Sequence, residues 1–537
     1  MLSKRWDTAG RWCIYALLLI VFVGPFWGIV ATAFSGAPVK PGELLAWPNQ
    51  FSFENFIFAW MDIGVWQYLL NSILVVFFGT VLQVSVSALA AYALARKKFR
   101  GVALVSLVIL STMMLPEEVI AQAKLRVLDV IGIGLSGSKT DVSRISKFCR
   151  EHGGEGASTI WGTDIKTSPE YAALANATMT FHLELDDVHR TSHTHPGVSC
   201  IPAALAIAEE KHMSGKELIE AVVVGYDSAI RMGLTVSPSI YTERTYLAPG
   251  TLSIFGAAAS AAKLYKQDAE TAGRAIGAGS YYGPIACYEA FKTGAGIKDM
   301  IMGWGNLCGI YAAQLAAEGF GGADFAIEGD FGFCKTAAVH YDTSRLSNRL
   351  GTYHEILFTG VKPYACCRQH HAAIDCMLEI REKYGIQLEN VDHVKVRTFV
   401  VSSRGNKKRP TTVQEAKYSI PYIMGVALKY GEVWREQFTD ELINTDELVN
   451  FAANVEVVPD AELDKLYDEK WPSIVEVTTK DGKMLSARHD LPKGEPEFAC
   501  SEADMLSKFM SLAGDAKTTE ECQKIAELIM NLENTSD

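Results

Sequence analysis

Several features that mark other protein classes are missing from this 537-residue sequence. It has no long block of lysine and arginine and a formal net charge of −12, so we expect no nucleic-acid partner, because phosphate binding needs clustered basic side chains. Its 11 cysteines form no Cys-x-x-Cys motif, which favours a reduced, cytosol-facing protein over a disulfide scaffold. Internal repeats are also absent. The length, with 49% hydrophobic and 21% charged residues, is typical of two or three folded domains.

Charge is also missing from two long stretches near the N-terminus. Residues 12–34 and 65–94 carry no formal charge, and each is long enough as a helix to cross a hydrocarbon core of about 30 Å. A third uncharged run, 102–115, reaches only about 21 Å and is too short to span comfortably. These runs predict N-terminal transmembrane helices.

Basic side chains predict how this segment lies in a membrane. Lysines and arginines occur between residues 4 and 11 and again at 96–100, and the positive-inside rule places both groups in the cytoplasm. We therefore expect residues 1–116 to contact membrane lipid in a bacterial-type inner (cell) membrane. The remainder of the chain would lie on the cytoplasmic side.

Three segments of the N-terminal part match a transporter pattern: SFENF at 52–56, YLLNSILV at 68–75 and AAYALARKKFRG at 90–101. Over about residues 10 to 116 the chain resembles the inner-membrane permease subunit of carbohydrate ABC importers. The later helices and the cytoplasmic coupling loop of such permeases have no counterpart here. The resemblance therefore implies a truncated permease segment of two to three helices.

After residue 116 the pattern becomes that of a folded helical domain. Apolar residues recur at three- and four-residue spacing from residue 120 onward, with charged residues between them. Residues 170–320 are rich in alanine and glycine, which let helices approach closely. We predict a large all-α domain over 117–345.

Beyond about residue 350 the signal is mixed, which predicts a smaller α/β domain over 346–500. The tail, 501–537, returns to helical spacing, and we expect its helices to pack on the helical domain. The elements predicted in the smaller domain are a strand at 394–400, a helix at 415–428, and a hairpin at 474–488 that turns at Asp481 and Gly482.

A formal G-x-G-x-x-G motif occurs at Gly132, Gly134 and Gly137. No strand precedes it, and the run around it is helical, so a dinucleotide site is disfavoured. We expect these glycines to permit close helix packing or to end the helix.

The densest polar segment is HLELDDVHRTSHTHPG, residues 182–197, within an otherwise apolar region. Its ionisable side chains are Glu184, Asp186, Asp187, His182, His189, His193 and His195. Neighbouring carboxylates and imidazoles can shift one another's pKa toward neutrality, which favours general acid/base chemistry. Metal binding by His189, His193, His195 and a carboxylate is a second interpretation, although the spacing matches no standard template. A polar loop with a helix cap at Asp186 or Asp187 is the third.

This segment and several others resemble the MmgE/PrpD superfamily over about residues 115 to 511. The supporting segments include KLRVLDVIGIGLSGS at 124–138, PAALAIAE at 202–209, KPYACCRQHHAAID at 362–375 and EAKYSIPY at 415–422. The family includes 2-methylcitrate dehydratase, cis-aconitate decarboxylase and iminodisuccinate epimerase. The resemblance implies a large helical domain carrying a smaller α/β domain, no cofactor or metal, and a possible homodimer.

The chain departs from the family pattern at several positions. The usual cluster, D-F-D-D-T followed by H-P, has Glu184 in place of its first aspartate and Val188 in place of threonine or serine. In the usual K-x-L-H-x-G segment the lysine is Lys298, but Ile301 replaces the histidine. A second usual histidine is Leu247 here. The site therefore lacks two imidazoles of the family pattern.

The reactions of this family begin with removal of a proton next to a carboxylate, which requires a base and cationic groups. The resemblance implies catalytic roles for Glu184, Asp186, Asp187, His195 and Lys298. We expect His195, assisted by Asp187 or Glu184, to be the acid/base group. Lys298 is expected to bind a substrate carboxylate.

Three further residues are candidates for substrate binding: His189, Arg368 and His371. The last two lie in the segment CCRQHH and could close the pocket from the smaller domain, because arginine binds carboxylates in a two-pronged manner. Cys366 and Cys367, next to them, are expected to be small buried residues rather than nucleophiles.

These observations predict a lyase or isomerase that acts by α-proton chemistry on a small polycarboxylate and is tethered to a membrane segment. A hydro-lyase similar to 2-methylcitrate dehydratase, or an epimerase, fits the resemblance. The alternative is a sugar-permease fragment with a non-catalytic C-terminal binding module.

Overall fold

The structure is a computed structural model that falls into two units, residues 1–114 and 115–537. The residues it describes are 27, 30–36, 47–48, 50–62, 65–96 (backbone alone for 81–96), 115–283, 285–290 and 295–536. The two units are described separately below.

In the first unit, a short helix α1 (Glu54–Ile57) and a π-helical turn (Phe58–Asp62) precede the long helix α2 (Val65–Arg96). Helix α2 covers the uncharged run predicted at 65–94. Within the described residues no single helix combines the length and apolar composition needed to cross a membrane, but Glu54–Met61 and Val65–Thr80 meet that test together, bent by 65° at their break. The predicted runs 12–34 and 102–115 lie for the most part outside the described residues.

The first half of the second unit is mostly helical. Its helices are α3 (Glu117–Gly137), α4 (Ile145–His152), α5 (Pro169–His182), α6 (Pro196–Lys211), α7 (Gly215–Val236), α8 (Ser239–Thr242), α9 (Ala248–Leu264), α10 (Ala269–Tyr282), α11 (Ile297–Ala317) and α12 (Phe333–Ala337). Helix α9 consists almost entirely of buried small and apolar residues and contacts α6, α7 and α11. Small side chains allow this close approach, as predicted from composition.

One feature of this half differs from the predicted all-α domain. Two short antiparallel strands, β1 (Ser158–Thr159) and β2 (Lys166–Thr167), pair between α4 and α5. The connection between them passes through Gly162, whose φ of +72° lies in the left-handed region that glycine adopts readily. Such a short ladder has too few residues for an alternating pattern to be visible in the sequence.

The glycines of the G-x-G-x-x-G motif lie inside α3 and at its end. A Cβ added at Gly137 would lie 2.1 Å from the main-chain oxygen of Met179 in α5, and one at Gly134 would lie 2.4 Å from the ring of Trp161. The predicted role in close packing is therefore confirmed. A dinucleotide-binding turn requires these glycines to follow directly after a strand. Here they lie within and at the end of a helix.

The smaller domain is built on a four-stranded sheet in the order β4-β3-β5-β6. The strands are β3 (Val391–Thr398), β4 (Val455–Pro459), β5 (Ser473–Thr479) and β6 (Met484–His489). Strand β3 runs parallel to β4 and antiparallel to β5, and β5 forms a hairpin with β6. Gly482, at the predicted turn, has φ +82°. The structure thus confirms, in coarse form, a mostly helical protein with a small sheet.

The remaining helices complete the second unit: α13 (His371–Tyr384), α14 (Val400–Ser403), α15 (Val413–Ala416), α16 (Ile420–Tyr430), α17 (Asp446–Ala453), α18 (Ala461–Asp464), α19 (Glu502–Ala513) and α20 (Thr519–Met530). Single 3₁₀ turns occur at Asp141–Arg144, Thr343–Leu346, Glu355–Phe358, Arg368–His370, Leu388–Asn390, Arg435–Gln437, Leu442–Asn444, Pro496–Phe498 and Leu532–Asn534. Helices α19 and α20 contact α3.

The helix predicted at 415–428 is wrong in one respect, because it is broken between α15 and α16. Pro421, which has no backbone N–H, lies in the first turn of α16, and the side chain of Ser419 caps that turn by accepting from the Tyr422 N–H at 3.2 Å. The break turns Lys417 and Tyr418 into the interior, where both are buried. This break supplies part of the site described next.

Candidate active site

The polar segment predicted from the sequence is a buried loop between α5 and α6. Backbone hydrogen bonds tie the loop to the segment at Gly360 through Val188, and close it on itself between His189 and Thr194. Glu184 has φ +56°, an uncommon conformation for a residue other than glycine. The loop therefore brings its carboxylates into the protein interior rather than into solvent.

Glu184 lies between two lysines. Lys298, from the first turn of α11, donates to Oε1 of Glu184, and Lys362 donates to Oε2 at 2.9 Å. Tyr418 also donates its hydroxyl to Oε1. Although burial alone would raise the pKa of Glu184, the charges of the two lysines hold that pKa well below its ordinary value.

Asp186 and His195 form a second pair in the same loop. His195 Nδ1 donates to Oδ2 of Asp186 at 2.6 Å, and Lys362 Nζ lies 3.6 Å from Oδ1. Burial raises the pKa of Asp186, but the nearby imidazole and lysine outweigh it, so the pKa lies below its ordinary value. His195 also meets the ring of Phe181 edge to face, with centroids 5.2 Å apart. We call Glu184, Asp186, His195, Lys298, Lys362 and Tyr418 the Glu184 site.

Asp187 contacts other groups. Its Oδ1 accepts from the Gly197 N–H in the first turn of α6 at 2.9 Å, and its Oδ2 accepts from the Tyr226 hydroxyl at 2.5 Å. Burial raises its pKa to about 6. These contacts anchor α6 directly after His195, so Asp187 fixes the position of the imidazole through the helix start. Direct assistance to His195 stays a prediction.

Sequence reasoning missed Lys362, Lys417 and Tyr418. All three lie in segments that carry the family resemblance, KPYACCRQ and EAKYSIPY, and a lysine or tyrosine inside such a segment was the available signal. Lys417 donates to the main-chain oxygen of His182 at 2.9 Å. Burial, together with the charge of Lys298, lowers the pKa of Lys417 to about 8.

The two positions that lack the family's histidines meet in one apolar cluster. Leu247 and Ile301 are both buried and pack with Phe181. The Phe181 ring lies 4.0 Å from Nζ of Lys298. The wall of the site next to this lysine is thus hydrocarbon.

The three predicted substrate-binding residues make contacts outside the Glu184 site. His189 Nδ1 lies 2.9 Å from the Ser192 hydroxyl, and burial lowers the pKa of His189 to about 3. Arg368 binds Glu495 at 2.8 Å and donates to Nδ1 of His371 at 2.9 Å. Their role in binding substrate stays a prediction.

Cys366 and Cys367 are buried, and burial raises the pKa of Cys367 to about 12. A thiol that does not ionise near neutral pH is a poor nucleophile. Within the described residues, no group of three or more histidine, cysteine, aspartate or glutamate side chains is placed to hold a metal ion.

Two family profiles match the chain, the MmgE/PrpD N-terminal domain over residues 108–345 and the MmgE/PrpD C-terminal domain over 364–534. The chain belongs to the MmgE/PrpD family. Its relatives include the cis-aconitate decarboxylase-like protein oryM of Aspergillus oryzae, 24% identical over 79% of this chain and 92% of that protein. Cis-aconitate decarboxylase of Homo sapiens is 25% identical over 79% of this chain and 89% of that protein.

The N-terminal part of this MmgE/PrpD chain has a different relative. It is similar to the diacetylchitobiose uptake system permease protein NgcG of Streptomyces coelicolor, with 31% identity over 114 residues. That match covers 21% of the chain and 38% of the permease, less than two thirds of the permease's length. The match supports a fusion of a permease segment to an MmgE/PrpD protein.

Proposed function

We propose that the MmgE/PrpD part of this chain is a lyase that acts on a small polycarboxylate by moving a proton on a carbon next to a carboxylate. The observation that carries the proposal is the pair of the partly exposed His195 and the buried Asp186, beside Lys298 and Lys362. It combines a proton-transfer group with cations able to hold carboxylates. The names of the relatives, cis-aconitate decarboxylases, support the same class.

In this mechanism His195 moves the proton. Because Asp186 accepts the Nδ1–H, the Nε2 atom is the one that exchanges a proton with substrate. The Asp186 carboxylate also stabilises the imidazolium form, as a buried carboxylate does for a catalytic histidine. Asp186 is therefore a positioning residue, and His195 is the acid/base.

The two lysines hold substrate carboxylates and the negative charge that develops on the substrate. In the structure both ammonium groups already contact Glu184. A substrate with two or more carboxylates competes with Glu184 for them, and the Tyr418 hydroxyl is a further donor released by that exchange.

Decarboxylation is the reaction that the relatives' names favour. The bond between the carbon skeleton and the leaving carboxylate breaks, carbon dioxide departs, and the electron pair stays on the skeleton. His195, as imidazolium, then delivers a proton to the substrate skeleton. Dehydration, the other lyase reaction, runs the transfer in the opposite direction: neutral His195 removes the proton from carbon, the electron pair forms the double bond, and hydroxide leaves with a proton as water. An epimerase, which is an isomerase and the alternative to the lyase, would remove the proton and return one to the other face of the same carbon.

One observation favours the second candidate function, a binding module without catalysis. Glu184 occupies both lysines, and the side chains of this trio are at most 4% exposed. A site neutralised in this way could bind a ligand at its edge and leave the proton-transfer pair unused.

Nuclear magnetic resonance in D₂O separates the two functions. The detergent-purified full chain is incubated with citrate-, aconitate-, methylcitrate- and iminosuccinate-type acids. Deuterium incorporation or product formation that is lost in Lys298→Ala, and kept in Lys465→Ala on the surface, supports the lyase. Ligand binding by folded protein, without exchange on any acid, would instead support the binding module.

We also propose that the permease-like segment holds the chain at the inner membrane, in contact with lipid, with the MmgE/PrpD part in the cytoplasm. The uncharged runs and the flanking basic residues support this arrangement. A protease added to sealed inverted membrane vesicles should digest the MmgE/PrpD part, whereas protection would contradict the orientation. The homodimer stays a prediction.

A further inference from the structure

A cleft of about 670 Å³ lies in the MmgE/PrpD part, a volume ordinary for small-molecule sites. Its charged lining is Arg190, Arg231, Arg345, Arg349, Glu355 and Glu497. None of the residues of the Glu184 site lines it. We call it the arginine cleft.

Arg231 forms the fixed part of the arginine cleft. This side chain, on α7, is 5% exposed and donates to the main-chain oxygens of Asn348 at 2.7 Å and Tyr353 at 3.1 Å. Both acceptors belong to the segment that carries Arg345 and Arg349. The buried arginine thereby anchors the backbone of the segment from which Arg345 and Arg349 reach the cleft.

Those two guanidinium groups are available to a ligand. Arg345 is 54% exposed, and its ion-pair partner is Asp342 at 3.4 Å. Arg349 lies over the ring of Tyr353, 4.5 Å from the centroid, and no carboxylate among the described residues lies within ion-pair distance of it. Stacking on an aromatic ring orients a guanidinium and leaves its N–H donors free for an anion.

Two of the four arginines in the cleft are little exposed and already paired with carboxylates. Arg190 binds Glu495 at 2.5 Å and Glu497 at 3.0 Å, and Arg231 lies 3.7 Å from Asp227. The positive charge that a ligand would meet therefore comes from Arg345 and Arg349. Burial raises the pKa of Glu355, in the lining, to about 7, so it carries only part of a negative charge near neutral pH. His189, also in the lining, is neutral there because burial lowers its pKa to about 3.

The arginine cleft also offers apolar surface. Leu234, Leu357, Phe358 and Pro496 line it together with the arginines. Guanidinium groups beside hydrocarbon suit an organic molecule that carries anionic groups better than they suit a bare inorganic ion.

We propose that the arginine cleft binds a small organic polyanion, recognised by Arg345 and Arg349 through its phosphate or carboxylate groups. Arginine's planar fork binds both groups with two hydrogen bonds. The proposal does not depend on the lyase reaction, because binding can be measured without turnover.

Calorimetric titration of the full chain in detergent tests the proposal, with inorganic pyrophosphate and citrate as separate probes. At least one probe should bind, and the double variant Arg345→Ala/Arg349→Ala should weaken that binding by about tenfold or more. Binding of pyrophosphate alone identifies phosphate groups as the recognised chemistry, and binding of citrate alone identifies carboxylates.

Two control variants make the result specific. Arg274→Ala removes an exposed arginine paired with Glu270 and should leave binding unchanged. Lys298→Ala separates the cleft from the Glu184 site, because citrate could occupy either. The proposal is overturned if neither probe binds, if the double variant binds as tightly as the parent chain, or if only Lys298→Ala abolishes binding.

Discussion

Glu184 gives the candidate site its electrostatic balance. Two buried ammonium groups and a phenol converge on one carboxylate, and the three charged side chains are too little exposed for water to screen their charges. A buried charge that loses its partner is costly to the folded state. This residue consequently matters for stability as much as for chemistry.

The variant Glu184→Gln is expected to lower the free energy of unfolding by about 3 kcal/mol, because Lys298 and Lys362 would lose the carboxylate to which both donate. They would keep only longer contacts, Lys298 with Asp299 at 3.9 Å and Lys362 with Asp186 at 3.6 Å. Urea denaturation of the full chain, followed by tryptophan fluorescence, measures the change. The matched control is Glu462→Gln, whose exposed pair with Lys465 should contribute less than about 1 kcal/mol. Equal losses of unfolding free energy in the two variants would contradict a stabilising role of Glu184 between the two lysines.

Asp186 offers a test of the proton-transfer pair. Asp186→Asn keeps the size of the side chain but removes the carboxylate that orients His195, so kcat should fall by about 10²-fold or more with a smaller change in KM. Steady-state kinetics on whichever acid is turned over measures both constants. Asp187→Asn is the comparison, since Asp187 contacts Gly197 and Tyr226 rather than His195. We expect it to lower the melting temperature and to lower kcat less than Asp186→Asn does. A variant Asp186→Asn with unchanged kcat would remove this residue from the mechanism.

Glu355 makes stability depend on pH. Burial raises its pKa in the folded protein from 4.5 to about 7, so between these values the folded state binds more protons than the unfolded state. Glu355 therefore leaves the free energy of unfolding unchanged below about pH 4 and lowers it increasingly as the pH rises. Above about pH 7 the free energy of unfolding is lower by on the order of 2 kcal/mol. Glu355→Gln should be more stable than the parent chain at pH 8 and similar to it at pH 4.5. Unfolding curves at both pH values check this, and an equal difference at both would contradict it.

At the scale of single elements, helix α3 packs closely against α5 because it has glycine at the point of contact. Gly137→Ala would bring a Cβ to 2.1 Å from the main-chain oxygen of Met179, and we expect a loss of about 1 to 3 kcal/mol from overpacking. Gly273→Ala, inside α10, is the control, because an added Cβ meets nothing within 4 Å. It should stabilise the protein by about 0.5 to 1 kcal/mol through helix propensity. Thermal melts compare the two, and loss of stability in both would argue against a packing role.

The extent of each helix was only partly predictable. Periodicity located the interior of α6 and α9 but not their first turns, which contain Pro196, Gly197 and Pro249 and carry no apolar repeat. Proline fits the first turn of a helix because its missing N–H has no partner there in any case. The break at Lys417–Ser419 was likewise hidden, since its flanking segments share one helical pattern.

At the scale of the whole molecule, four of the six residues of the Glu184 site were predicted from the sequence, and Lys362 and Tyr418 were not. Glu184, Asp186 and His195 lie within twelve residues of one another, so their density was visible in the sequence. Lys362 and Tyr418 come from 178 and 234 residues beyond Glu184, and no local pattern reports that a fold will bring such residues together. Only the family resemblance pointed to their segments.

The helical half of the second unit is discontinuous, because α19 and α20 follow the smaller domain in the chain and pack against α3 at its start. Lys508 of α19 lies 2.8 Å from Asp129 of α3, a carboxylate that is 2% exposed. During synthesis on a ribosome, α3 therefore emerges before the smaller domain, and Asp129 meets Lys508 only after that domain has been made. A nonsense mutation that removed α19 and α20 would leave the apolar face of α3 and the Asp129 carboxylate uncovered, and the product would be exposed to the quality-control machinery of the cell.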